Sequence, residues 1–297
     1  MIIKAALIFL LTMCLTAPAA PDIVSLQKDL IDGPQKLVAE NIGVKVTAEK
    51  FVVIDVASGK ILFAKNATEQ QPIASITKLM TSLVVLEQNP NWKKEVQMMA
   101  ADETIGAAPH IYRGEIVTFY DLWKTALIAS DNNAIKAMLR ALGLKENEFV
   151  KLMNDKARAL DLVSTEFSDS TGLDAGNKSS AIDVAKLLHY ALQQNGIREM
   201  VLQQSYEFKI LNKKIKSRKV FTTDFLLASF LNDPVRGYEL FGGKTGYTIE
   251  AGFCLAAELA KNNHPIIIVV LGSASLDDRF NDVKVLADWV YENYKWK

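Results

Sequence analysis

Two runs rich in β-formers, Phe51-Val-Val-Ile-Asp-Val56 and Ile61-Leu-Phe-Ala64, flank Ala57-Ser-Gly-Lys60, a pattern that predicts a hairpin. Near the other end of the chain, Phe253 to Ala260 and Ile266 to Leu271 repeat it around Lys261-Asn-Asn-His264. Between these ends the period changes. Phe149, Met153, Ala157 and Leu160 recur at four, four and three residues, the stripe of an amphipathic helix, and similar spacing runs through Tyr120 to Leu127, Ala134 to Leu142 and Ile182 to Leu192. Strands at both ends with helices between them predict an α+β fold. One antiparallel sheet is built from distant segments, and a mainly helical lobe, approximately 75–200, is inserted between them. A last stripe, Val283, Leu286, Val290 and Tyr294, predicts a helix that covers the sheet.

The N-terminus has its own pattern: Met1-Ile-Ile-Lys4, an apolar run from Ala5 to Leu15, then Thr-Ala-Pro-Ala-Ala-Pro21. This is the order of a secretory signal, and small residues at Ala17 and Ala19 place cleavage after residue 19. The run is shorter than the roughly 20 apolar residues a membrane span needs. Residues 1–19 are therefore expected to be a signal peptide, 20–44 a polar lead-in and 45–297 one catalytic module, in a protein exported to the periplasm or the outer face of the cell envelope. Removing the signal removes Cys14 and leaves Cys254, so no intrachain disulfide forms and the remaining thiol is expected to be buried.

Lys plus Arg and Asp plus Glu number 34 each, so no overall field favours nucleic acid or an anionic membrane. His110, His189 and His264 have no partners at ligand spacing, and Gly-x-Ser-x-Gly is absent. No metal and no cofactor is expected. What remains is Ser75-Ile-Thr-Lys78 before an apolar run. On a helix, positions three apart share a face, so the Lys78 amine can approach the Ser75 hydroxyl, and a helix start favours a developing anion. Alone the pair is weak, since Ser-x-x-Lys occurs about once by chance in a chain of this size, and Ser25-Leu-Gln-Lys28 is a second copy. Ser130-Asp-Asn132 and Lys244-Thr-Gly246 follow in order, on an inter-helix loop and a strand. Separately they read as a helix cap and a strand turn. Together the three form the set of penicillin-binding proteins and class A β-lactamases.

At these residues the chain resembles the D-alanyl-D-alanine carboxypeptidase family of low-molecular-mass penicillin-binding proteins. The resemblance extends through Ala74 to Thr81, Arg113-Gly-Glu115, Thr165-x-Phe167 with Thr171-Gly-Leu173, and Gly243 to Thr248 with Ala251-Gly252, over roughly residues 45 to 295. It implies a β-lactamase/transpeptidase-like fold with the site between the two lobes. It also implies Ser75 as the acylated nucleophile, Lys78 as its base, Ser130 as proton relay and Asn132 as holder of the substrate backbone. By the same resemblance Lys244 would support the electrostatics, Thr245 would help bind the terminal carboxylate, and the backbone N–H of Tyr247 would join that of Ser75 in the oxyanion hole. A lysine base must be neutral, and burial together with the positive charge of Lys244 is expected to depress its pKa. The substrates implied are peptidoglycan stem peptides ending in D-Ala-D-Ala, with β-lactams as covalent inhibitors.

Two departures stand out. No C-terminal β domain or amphipathic membrane helix is expected before Lys297, and Asn133 stands where relatives often have Asp. The rival activity is a D,D-endopeptidase with the same acylation chemistry. A class A β-lactamase would need Glu-x-x-Leu-Asn, whereas Glu166 is followed by Phe-Ser-Asp-Ser170 and reads as a surface residue. A non-catalytic wall-peptide-binding protein is disfavoured by the intact Ser75 and Lys78.

Overall fold

A computed structural model describes residues 32–41, 43–104, 109–214 and 216–297. The proposed signal, Cys14 and the Ser25–Lys28 pair lie outside the described residues. The central sheet contains β1 (Lys50–Asp55), β2 (Ile61–Lys65), β3 (Tyr238–Thr248), β4 (Gly252–Lys261) and β5 (His264–Ser273). Their order is β3-β4-β5-β1-β2, all neighbours antiparallel. Both expected hairpins are present. They are joined where Val53 pairs with Ile268, so the sheet unites the two ends of the chain.

Side chains alternate across a strand, and here both faces are apolar, so both must be covered. Phe51, Val53, Leu255, Ala257, Ile268 and Val270 form one face, packed with Phe280, Val283, Leu286 and Val290 of the terminal helix. Val52, Ile54, Ala256, Ile267 and Val269 form the other, continuous with the core of the helical lobe. The terminal helix runs from Leu276 to Asn293, starting earlier than its apolar stripe suggested because Ser275 accepts a hydrogen bond from the Asp278 N–H at 3.1 Å. Tyr294, the last residue of that stripe, has left the helix. It is buried all the same, in a short strand paired with Lys36.

The lobe comprises α1 (Lys78–Glu87), α2 (Phe119–Ile128), α3 (Asn132–Leu142), α4 (Glu146–Ala159), α5 (Ala181–Leu192) and α6 (Asn195–Val201); the terminal helix is α7. Every residue of α1 from Lys78 to Val85 is buried, so this helix passes through the middle of the lobe. α2 begins at a reciprocal cap in which the Asp121 N–H donates to Thr118 Oγ1 and the Thr118 N–H to Asp121. α3 begins on Asp131, which accepts from the Ala134 N–H, and ends at Gly143 in the left-handed conformation.

One buried carboxylate ties the sheet, α7 and the entering chain together. Asp282 accepts from the Thr47 N–H (2.8 Å) and hydroxyl (2.8 Å), the Ala48 N–H (2.9 Å) and the Ser273 hydroxyl (2.7 Å). Asp282→Ala strands the buried Ala48 N–H and Ser273 hydroxyl and frees the two donors of the exposed Thr47, and unsatisfied buried donors cost about 1–3 kcal/mol each. With partial relaxation, urea unfolding is expected to show a loss of roughly 2–4 kcal/mol; a change below about 0.5 kcal/mol, the size of an ordinary surface substitution, would contradict this role.

Candidate active site

Three segments converge where α1 meets the sheet. Ser75 lies in a 3₁₀ turn, Ala74–Thr77, that leads into α1, rather than in the first turn of the helix itself. Ser130 sits between α2 and α3, and Lys244-Thr-Gly246 is part of the edge strand β3. Ala74 and Ser130 adopt positive φ, 47° and 60°, which side chains other than glycine rarely do and which costs on the order of 1–3 kcal/mol each. Gly246 makes the approach of β3 possible: a Cβ there would stand 2.6 Å from the Ile73 carbonyl oxygen and 3.3 Å from the Ser75 nitrogen. On the other side, a Cβ on Gly172 would overlap the Ala74 carbonyl. The Ser75 turn is held between two glycines.

Lys78 is fully buried, and its Nζ lies 2.8 Å from Ser75 Oγ, 2.6 Å from Asn132 Oδ1 and 2.7 Å from the Thr171 carbonyl oxygen. With Asn132 in this orientation, the last two partners only accept. A neutral amine has two protons and one lone pair, so it can donate to both and accept from the Ser75 hydroxyl. Burial brings Lys78 from the ordinary 10.5 to about 7, against Asp169 and Asp131, which raise it. Lys244 is itself held well below its ordinary value, by burial first and then by Lys78 and Arg279. Its Nζ donates to Ser130 Oγ and to the Thr245 carbonyl, both at 3.1 Å.

A cavity of about 250 Å³ opens onto this array, lined by Ser75, Ser130, Asn132, Thr245 and the half-exposed Tyr247, whose ring stacks on Phe253. All seven residues singled out in the sequence thus line the cavity or bond directly to a residue that does. Asn133 does not line it; its Oδ1 accepts from the Thr104 N–H and hydroxyl. Glu166 is exposed and bridges Lys178 through the backbone.

Besides Ala129, three polar residues line the cavity without having been foreseen: His110, Thr223 and Arg279. Arg279, in the first turn of α7, is buried; its Nη1 donates to the Gly246 carbonyl at 3.3 Å, and its Nε has no partner. A cation in the first turn opposes the helix dipole, and that was the one legible signal for it. Beneath β3, burial pushes the Asp224 carboxyl up to about 6 despite the Leu226 N–H, Lys244 and Arg279, which stabilise its charge.

The sequence profile of the D-alanyl-D-alanine carboxypeptidase family matches residues 35–275. The chain belongs to this family. It is 32% identical over 235 residues to a D-alanyl-D-alanine endopeptidase of Haemophilus influenzae, covering 78% of this chain and 76% of that one. To D-alanyl-D-alanine carboxypeptidase DacF of Bacillus subtilis it is 32% identical over 254 residues, covering 84% of this chain and 63% of the relative, so it spans less than two thirds of that protein. Penicillin-binding protein D2 of Listeria monocytogenes, solved in its cefotaxime-bound form, superposes with a TM-score of 0.71 at 26% identity, over 84% of this chain and 99% of that one. The α+β, penicillin-binding-protein fold expected for this family is the one observed.

The amine geometry has a direct test. In a protein carrying ¹³C-labelled lysine, the side-chain resonance lost in Lys78→Met should titrate with a midpoint near 7. A midpoint at the ordinary lysine value would mean that the amine is not desolvated as described.

Proposed function

We propose that this protein is an exported serine D-alanyl-D-alanine carboxypeptidase that removes the terminal D-alanine from peptidoglycan stem peptides. The observation that carries the reading is the buried Arg279, with an unpartnered Nε, lining the same small cavity as Ser75, Ser130 and Thr245. A guanidinium beside a hydroxyl recognises a carboxylate, and the carboxylate that a carboxypeptidase must find is the free end of its substrate. Export is supported by the expected signal at residues 1–19 and by membership of a family that acts on D-alanyl-D-alanine. Among the described residues no helix is long and apolar enough to cross a membrane.

In the proposed reaction neutral Lys78 takes the Ser75 proton as Oγ attacks the carbonyl of the penultimate residue. The backbone N–H groups of Ser75 and Tyr247 hold the resulting oxyanion. Asn132 aligns the substrate backbone. The C–N bond then breaks as Ser130, beside Lys244, gives its proton to the departing D-alanine amine and takes up the one that Lys78 removed from Ser75, leaving an ester on Ser75 and a neutral Lys78. Water hydrolyses that ester, and the proton relay runs in reverse. A β-lactam acylates Ser75 by the same first step, which is supported by the cefotaxime-bound relative.

Because the base must be neutral, acylation should rise with pH and reach half its plateau near 7, where Lys78 loses its proton. Stopped-flow acylation by a chromogenic β-lactam measures this; Lys78→Met should abolish it with the fold intact, and wild-type acylation by that variant would remove Lys78 from the mechanism. Recognition of the chain end is tested with a peptide ending in D-Ala-D-Ala as the free acid and as the carboxamide. A hydrogen bond to a charged group is worth about 1.5–3 kcal/mol, so kcat/KM is expected to favour the acid by roughly ten- to a hundredfold. Equal turnover of the two would instead favour a D,D-endopeptidase, the activity named for the Haemophilus relative.

A further inference from the structure

Thr223 stands in the cavity wall with its Oγ1 2.6 Å from Thr245 Oγ1. Its backbone is clamped on two sides. The Thr223 N–H donates to the Ile128 carbonyl at the end of α2, 3.2 Å away. The next residue, Asp224, donates its N–H to Thr222 Oγ1 and accepts from the Leu226 N–H, both at 3.0 Å. Its second carboxylate oxygen faces β3 so closely that a Cβ on Gly243 would stand 2.6 Å from it. The hydroxyl of Thr223 is thereby fixed relative to the strand that bears Thr245.

Each hydroxyl has one proton and accepts through its lone pairs, so within the pair only one can donate to the other. If Thr245 donated to Thr223, it would present only lone pairs to an incoming carboxylate and repel it. If Thr223 donates, the Thr245 proton is free to point at the anion, and the chain of two hydroxyls polarises in the direction the carboxylate favours. We propose that Thr223 is a positioning residue for the substrate's terminal carboxylate, donating to Thr245 Oγ1 and so turning the Thr245 proton towards the anion that Arg279 attracts. This rests on the carboxypeptidase reading above and adds a specificity determinant absent from the Ser-x-x-Lys, Ser-x-Asn and Lys-Thr-Gly set.

The test is a mutant cycle read with the acid and carboxamide forms of one D-Ala-D-Ala peptide, using the full chain. Thr223→Val keeps the shape and removes the hydroxyl. It should lower the acid-to-amide ratio of kcat/KM by about fivefold, the worth of one neutral hydrogen bond, mainly by raising KM for the acid. Thr223→Ser should restore most of the ratio. In a Thr245→Val background, Thr223→Val should have no further effect, because the hydroxyl it removes acts through the one already gone. An unchanged ratio in Thr223→Val, failure of serine to restore it, or additive losses in the double variant would each overturn the inference while leaving the carboxypeptidase reading in place. A wild-type enzyme that does not distinguish acid from amide would overturn that reading, and this inference with it.

Discussion

The structure turns on a lysine amine taken out of water. Moving an ammonium into a protein interior costs several kcal/mol, so Lys78 can be buried only if its charge is lost or every proton finds an acceptor. Both conditions are approached here. Ser75, Asn132 and Thr171 surround the amine at 2.6–2.8 Å, and burial lowers its affinity for a proton towards 7. These partners come from the turn before α1, the start of α3 and the loop before α5, so the amine is satisfied only when the whole lobe has assembled.

A second consequence is electrostatic. Lys78 and Lys244 lie behind the small cavity that Arg279 lines, and Lys244 is depressed by burial first and then by the other two. Asp224 offsets part of this charge from beneath the strand, but its own burial weakens it as a counter-ion. The result is a local site for an anion on a chain whose total charge is zero. The same crowding that favours a neutral amine also favours a bound anion.

Such an arrangement requires rigid support. The left-handed conformations at Ala74 and Ser130 and the near contact of Gly246 with the Ser75 turn are unfavourable locally. They persist because two cores meet at the sheet: α7 packs on one face and the helical lobe on the other. Asp282 fastens the entering chain to α7 and β5. Strain at the site is balanced by packing well away from it.

The sequence by itself determined the two hairpins, the main helices and the order of the three motifs. These are local properties: residue period sets strand or helix, and Ser75 and Lys78 are neighbours on any helical turn. Glycines in Lys-Thr-Gly and Thr-Gly-Leu could be recognised, but not the atoms they make room for. Only the tertiary structure decided that the Thr171 carbonyl bonds the amine, that Asp131 and Asp169 oppose its depression, and that Thr223 and Arg279 line the cavity with Ser75. Those residues are distant in sequence and carry no spacing signal, because each acts through one atom whose position depends on how the sheet and the lobe close on each other.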